Sequence, residues 1–572
     1  LYHWLKERTS LPVMSEQAQL RPHTDMYAQM YASIDLMKNF VEIGSDRPMI
    51  LCEYEHAMGN SVGNLSEYWA LIRKHKPLQG GFIWDWVDQT ITTETASGIE
   101  FQGYGGDFEE EGQYHDGNFS ANGLLTSTRQ LHPHAHEVKY VYQDIDVAFT
   151  SAQSNEILIE NRRFFTSTND MQLRWELLAD GEVVETGERG TLAIAPRAKK
   201  AIALSINTQR QKHTRYHLSL YFMLNKATKA LPQGHEIAKV QLAYPADISK
   251  AHYAQPLQNL KHGEKVNGEL VNEPQTNEKQ LVKKENQWVM RANNTRYSID
   301  TQSGWLSSIE ADNHQLLESP LVPWFWRAPT DNDYGEGFPE KSAVWQGVDK
   351  RAELVSMTSE LINDGYSVTT EHYFPLLESR YKTTYRINSS GLNVDVWLLA
   401  APHRFQAALP RIGHRLQLND DYSLVSWFGR GPFENYWDRK SAAFFKRYSM
   451  PIADLGHDYV RPQENGHRTD VYEVSFYADK PLGSSAAARP HITFMGSPTI
   501  GFNAEYRDIL DYDGLTKTGS HPHEIPKQNA PFVNIDFKQR GVAGTDSWMS
   551  PPLFKYTLPW RDYHYSFSIQ VQ

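Results

Sequence analysis

The sequence predicts a chain of two architectures: the second half of a parallel β/α barrel, then all-β sandwich domains. Three observations predict it. Strand and helix signals alternate through residues 1–142, as in a parallel sheet or barrel. From about Val141 the hydrophobic period falls to two, with turn residues between the runs, the pattern of sandwich strands. The third and fourth barrel strands both end in residues able to do chemistry, and that end of a barrel is its active face.

In chain order, a helix is predicted over Leu1–Arg8, strands over Leu11–Glu16 and Asp25–Tyr31, and a helix near Ile34–Ile43. Pro48–Tyr54 begins as an apolar run, as a strand covered on both faces does. Tyr68, Trp69, Leu71 and Ile72 give Ser66–His75 helical spacing, and Gly80–Val87 reads as the fourth strand. Four β/α units are half of the eight in a closed barrel; a complete small four-stranded domain is the alternative. Gln172–Leu178, followed by Asp180 and Gly181, alternates with period two, as does Tyr366–Phe374, and such runs continue to Tyr565–Val571. The resulting division is 1–142 half barrel, 143–247 small β-sandwich, 248–285 polar linker and 286–572 large β-sandwich.

Composition narrows the function. At 572 residues the chain exceeds one core. A net charge of −12 argues against a nucleic-acid partner, since no basic excess is available for phosphates. No apolar run approaches the roughly 20 residues of a membrane helix. Cys52 is the one cysteine, so no internal disulfide is possible. The chain opens on Leu, directly in a helical pattern, so it reads as a piece of a longer product whose targeting information lies elsewhere.

Glu53 ends an otherwise apolar strand, where a carboxylate is costly unless paired or used. A neighbouring Arg or Lys explains an isolated strand-end Glu equally well. The context favours use: His56 follows in the same loop, Trp84 stands at the same level of the next strand, and Tyr31 ends the preceding one. A carboxylate, an imidazole and an indole converging on a barrel rim suit a sugar pocket. Alternation places Cys52 and Tyr54 on the face opposite Glu53. The runs His132–His136 and His521–His523 read as exposed loops rather than zinc sites.

The segments ILCEYEHAMGNSVGN (Ile50–Asn64), LQGGFIWDWVDQ (Leu78–Gln89), YGGDF (Tyr104–Phe108), FSANGLL (Phe119–Leu125), RAPTDND (Arg327–Asp333), GRGPFENYWDR (Gly429–Arg439), PQENG (Pro462–Gly466) and GTDSW (Gly544–Trp548) follow one another along the chain. Together they resemble the large microbial β-galactosidases of glycoside hydrolase family 2, in their C-terminal portion beginning in mid-barrel. The resemblance implies a TIM barrel followed by an immunoglobulin-like sandwich and a large galactose-mutarotase-like sandwich. It implies cleavage of terminal β-galactose with retention, through a glycosyl-enzyme on Glu53, which Tyr31 orients. It makes His56, Trp84, Asn122, Asp116 and Trp548 substrate-binding residues. It makes the Phe119 carbonyl and the Asn122 side chain ligands of a monovalent cation, sodium or potassium. A magnesium site is expected for the intact enzyme, with ligands upstream of this chain.

Two departures accompany the resemblance. Glu55 stands where the family has Ala, and its charge is expected in solvent. The Asn-Glu motif of the general acid/base is absent, and Glu16, ending the first strand, reads as a structural or pocket-wall residue. Retaining hydrolysis needs two carboxyls about 5–5.5 Å apart, so the chain alone is expected to be inactive. The expected partners are the N-terminal half of the barrel, a β-galactoside and, by resemblance, further copies in a tetramer in the cytoplasm. A non-catalytic carbohydrate-binding or interaction fragment is the alternative.

Overall fold

A computed structural model describes the chain except residues 111, 246–278, 364, 389–390, 402–405, 479–488 and 513–520. The linker expected at 248–285 therefore lies outside the described residues as far as 278, after which Lys279–Lys283 pairs with Gln287–Ala292 as a strand.

The N-terminal region is a parallel sheet of β1 (Tyr27–Met30), β2 (Met49–Tyr54) and β3 (Leu78–Ile83) in that order. Helix α1 (Ile34–Ile43) joins the first pair, and α2 (Leu65–Lys74) the second. The Ser33 hydroxyl caps α1 by accepting from the Leu36 amide, and Gly44 ends it in the left-handed region at φ 72°. The apolar faces of both helices close on the sheet through Met37, Phe40, Leu51, Tyr54, Leu65, Tyr68 and Ile72. The expected first strand is reduced to one parallel bridge, Met14 to Met26, followed by a 3₁₀ turn over Glu16–Ala18. It carries too few pairing groups in register to extend the sheet.

A further helix, α3 (Pro133–Tyr142), packs beside α2. It overturns the loop expected at His132–His136: His132 stands at the position before the first helical residue, and His132 and His134 are buried. His132 Nε2 meets Asp88 Oδ2 at 2.7 Å, and its Nδ1 meets His457 Nε2 at 2.8 Å. The imidazoles serve as buried hydrogen-bonding groups. His521 is buried likewise, against Asp107.

Beyond α3 the chain is antiparallel. Ile145–Phe149, Glu156–Asn161 and Lys199–Ala203 form one sheet; Met171–Ala179, Glu182–Thr191, Tyr216–Leu224 and Glu236–Ala243 form another. Their inward residues, among them Ile157, Leu173, Trp175, Leu218 and Phe222, form one core, as sandwich alternation requires. The strands from Lys279 to Val571 make one extended antiparallel system around a second, larger core that includes Trp345 and Trp427.

The large sandwich is docked on the barrel segment through the loop after β2. Residues 60–64 are buried there. The Asn60 amide donates to Gln463 Oε1 at 2.9 Å and its side chain to the Glu464 carbonyl at 2.6 Å. The Gly63 amide donates to the Ala543 carbonyl at 2.7 Å, the Asn64 amide to the Asp438 carbonyl at 2.8 Å, and Arg439 to the Ser61 carbonyl at 2.5 Å. A Cβ at Gly63 would stand 2.3 Å from Asp438 Oδ2, and at Gly59 2.2 Å from Asp331 Oδ2. Glycine there leaves room for the carboxylates of Asp438 and Asp331 against the loop backbone.

Candidate active site

The ends of β1, β2 and β3 and the segment 546–549 enclose an open cleft of about 630 Å³. Met30, Tyr31, Glu53, His56, Trp84, Phe119, Asp546, Trp548 and Met549 line it. Tyr31 adopts φ 46°, a conformation that costs a bulky residue of order 1–3 kcal/mol and tends to occur at functional sites. It is held there because its amide donates to the Glu53 carbonyl at 2.8 Å. Its phenol faces the Glu53 side chain across the cleft wall, and burial first, then the neighbouring Glu53 carboxyl, push the phenol well above its ordinary range.

Three rings pack around this pair. Trp548 meets Tyr31 edge-on with ring centres 4.6 Å apart and His56 at 5.4 Å; Phe119 lies 5.1 Å from His56. Burial pushes His56 down to about 4, against a smaller upward pull from Asp546. The ring is therefore neutral at pH 7, with Nδ1 2.8 Å from the Ser547 hydroxyl. A neutral imidazole can both donate and accept, which suits sugar hydroxyls.

Of the residues expected at the site, Tyr31, Glu53, His56, Trp84, Phe119 and Trp548 meet in this cleft. Asp116 and Asn122 line an adjoining cleft of about 540 Å³, which shares Trp84 and Phe119 with the first. The Asn122 side-chain amide donates to the Phe119 carbonyl at 3.0 Å. Turning that amide over would set its oxygen beside the carbonyl, so the pair fits part of a hard monovalent-cation site. Glu16 does not line the Glu53 cleft.

Two expectations are corrected. Cys52 is half-buried, and burial, then the charges of Glu16 and Glu53, push its thiol up. It is thus less covered than an interior packing residue, and the register with β3 slips between Leu51 and Tyr54, which breaks the alternation. Glu55, expected in solvent, is wholly buried.

Sequence reasoning missed Asp546, although it lies inside the GTDSW block. Its Oδ1 accepts from the amides of Trp548, Met549 and Ser550 at 3.1, 2.9 and 2.9 Å. Aspartate with such downstream partners is an Asx-type turn anchor, a signal legible in sequence only as a turn. Asp546 is thus committed to holding Trp548 over the cleft, and Glu53 is the carboxylate of the cleft not engaged in this way.

Three family profiles match the chain: "Glycosyl hydrolases family 2, TIM barrel domain" over residues 9–147, "Beta-galactosidase, domain 4" over 157–245 and "Beta galactosidase small chain" over 291–569. The chain belongs to glycosyl hydrolase family 2. This β-galactosidase-type family member is the C-terminal part of the barrel followed by β-sandwich domains. It is 32% identical over 609 residues to a protein named beta-galactosidase from Alteromonas mediterranea, covering 99% of this chain and 54% of that protein. It is 29% identical over 540 residues to one of the same name from Priestia megaterium, covering 94% and 48%. The chain thus spans about half the length of the curated relatives it matches. A galactose mutarotase related enzyme from Lactobacillus acidophilus aligns in structure with a TM-score of 0.30 at 10% identity, over 50% of this chain and 97% of that one. Among the described residues no helix is long and apolar enough to cross a membrane.

Removing the Tyr31 hydroxyl tests the pairing with Glu53. A hydrogen bond to a charged group contributes about 1.5–3 kcal/mol. In the chain completed by the rest of its barrel, Tyr31→Phe is expected to lower kcat about 10- to 100-fold with KM little changed. A change confined to KM would show that the phenol serves substrate binding instead.

Proposed function

We propose that the chain is the nucleophile-bearing part of a retaining β-galactosidase, and the observation that carries this reading is the Tyr31–Glu53 pair at the mouth of an aromatic cleft. The Glu53 carboxylate attacks the anomeric carbon as the leaving oxygen departs, forming a glycosyl-enzyme that water then opens. Trp84 and Trp548 offer flat apolar surfaces for a sugar ring, and His56 is placed for its hydroxyls. The Phe119 carbonyl and Asn122 would hold sodium or potassium beside the cleft, with Asp116 in the adjoining wall. Bound there, the cation would offer an electrostatic anchor for a hydroxyl.

Among the described residues the cleft offers no second free carboxyl as proton donor, since Asp546 is engaged in its turn. We assign that role to the upstream half of the barrel, and magnesium to ligands there. Phe82 and Trp86, 64% exposed, and Met30, 40% exposed, lie along or just beyond the strands that such a half would cover. The intact protein is then read as a cytoplasmic homo-oligomer acting on β-galactosides.

The test is to assay a chromogenic β-galactoside with the chain alone and with the upstream segment added, and to trap the active form with a 2-fluoro galactoside. Turnover only with both pieces, and a label on Glu53, are expected. Full turnover by the chain alone would overturn the missing-acid reading. A label elsewhere would overturn the nucleophile. Sugar binding without turnover in either case would favour a carbohydrate-binding fragment.

A further inference from the structure

Glu55 is two residues from Glu53 and has no role in the chemistry above. It is 0% exposed, and neither carboxyl oxygen has a hydrogen-bond partner. Its backbone sits at φ 51°, which a non-glycine residue holds only when its surroundings impose it. Those surroundings are the docked sandwich. A Cβ on Gly544 would stand 2.3 Å from Glu55 Oε2 and 2.4 Å from the Gly63 carbonyl oxygen, so the carboxyl and the Gly63 backbone both crowd the space that Gly544 leaves open. Gly544 belongs to the segment that carries Asp546, Ser547 and Trp548 to the cleft.

We infer that Glu55 is a pH-sensitive latch: its carboxyl, wedged against Gly544, governs how firmly the segment 541–549 is docked and so how Asp546 and Trp548 close the cleft. The electrostatics follow from what faces it. Asp438 comes from the sandwich, Glu67 and Tyr68 from α2, Glu137 and Tyr142 from α3, and Tyr54 from β2. The cations nearby are committed elsewhere: Lys555 pairs with Glu67 and Arg439 with Glu434. Burial first, then repulsion from Asp438, Glu67 and Glu137, hold the Glu55 carboxyl well above its ordinary range.

A carboxyl raised in the docked state and ordinary in the open one makes docking strongest in acid. Docking weakens as pH rises above the ordinary value of 4.5, until the raised value is passed. Across that window each pH unit increases the open fraction by up to about ten-fold. The latch needs no catalytic activity, so its test is independent of the proposed reaction.

Amide hydrogen exchange of segment 541–549 in the whole chain, corrected for intrinsic exchange and followed from pH 5 to 9, reads the opening directly. In the parent chain, opening is expected to climb by up to about ten-fold per pH unit over part of this range. In Glu55→Gln, isosteric and uncharged, that climb is expected to vanish, with the two chains alike at pH 5. Glu55→Ala, equally uncharged and smaller, should also lose the climb, which keeps the test open if the Gln variant folds poorly. Parallel pH dependence in the parent and either variant would overturn the latch. So would a Gln variant whose segment is already open at pH 5.

Discussion

In the chain completed by its upstream barrel half, Glu53→Gln is expected to lower turnover of a chromogenic β-galactoside by on the order of 10⁴-fold or more, the scale of losing a covalent nucleophile. An amide cannot displace the leaving group. His56, Trp84 and Trp548 remain to bind the sugar, so KM should change far less than kcat. Glu53 is only half-buried, and denaturation midpoints should stay close to those of the parent. The chemistry has a second signature. In Glu53→Ala a small anion such as azide can enter where the carboxylate stood and attack the anomeric carbon once. One displacement inverts, so the product is an α-galactosyl azide, whereas two displacements through Glu53 retain the β configuration. Turnover of Glu53→Gln within ten-fold of the parent, or an azide product of β configuration, would remove Glu53 from the reaction.

The second large effect is on folding. Arg327 is 1% exposed and forks onto Asp333, with Nε to Oδ2 at 2.9 Å and an Nη to Oδ1 at 2.8 Å. It also donates to the carbonyls of Arg540 and Gly541 at 2.6 and 3.0 Å. Burial opposes the Asp333 charge, but the charges of Arg327 and Arg540 outweigh it and hold the carboxyl below its ordinary value. Arg327→Ala leaves that carboxylate with Arg540 and the Thr330 amide and strips two buried carbonyls of their donor. Breaking a buried pair from one side costs about 3–5 kcal/mol, and a loss of that size is expected in urea unfolding of the large sandwich. A carboxyl lowered in the folded state contributes stability above its ordinary value of 3.8, lost as pH falls through the folded value. The penalty should therefore be full at pH 7 and shrink in strong acid. Because Gly541 begins the segment that carries Trp548, the variant should also weaken sugar binding. A loss below 1 kcal/mol would show that Arg540 suffices for Asp333.

Much of the barrel segment was legible because its signals are local. The Ser33 cap and Gly44 stop bracket α1, and the helical spacing of Tyr68, Leu71 and Ile72 marks α2. The first expected strand failed for the opposite reason: whether Leu11–Glu16 pairs depends on a neighbour at Met26 that the local pattern does not contain. His132–His136 was misread because proline at the first helical position resembles a break, although it is compatible with a helix start.

The sequence by itself determined the order of β/α and all-β segments, and it marked Glu53, His56, Trp84 and Tyr31 as one neighbourhood, since all follow strand ends on the same rim. Tertiary structure alone decided that Asp546, nearly five hundred residues away in the chain, lines that neighbourhood and holds Trp548 over it, and that Asp116 stands in the adjoining cleft. It also decided that Glu55 is buried and that the glycines and asparagines after Glu53 are docking groups. The physical reason is that periodicity reports only which face of an element is covered. What covers it, and whether a charge left there finds a partner, depends on contacts between surfaces whose complementarity no local pattern records.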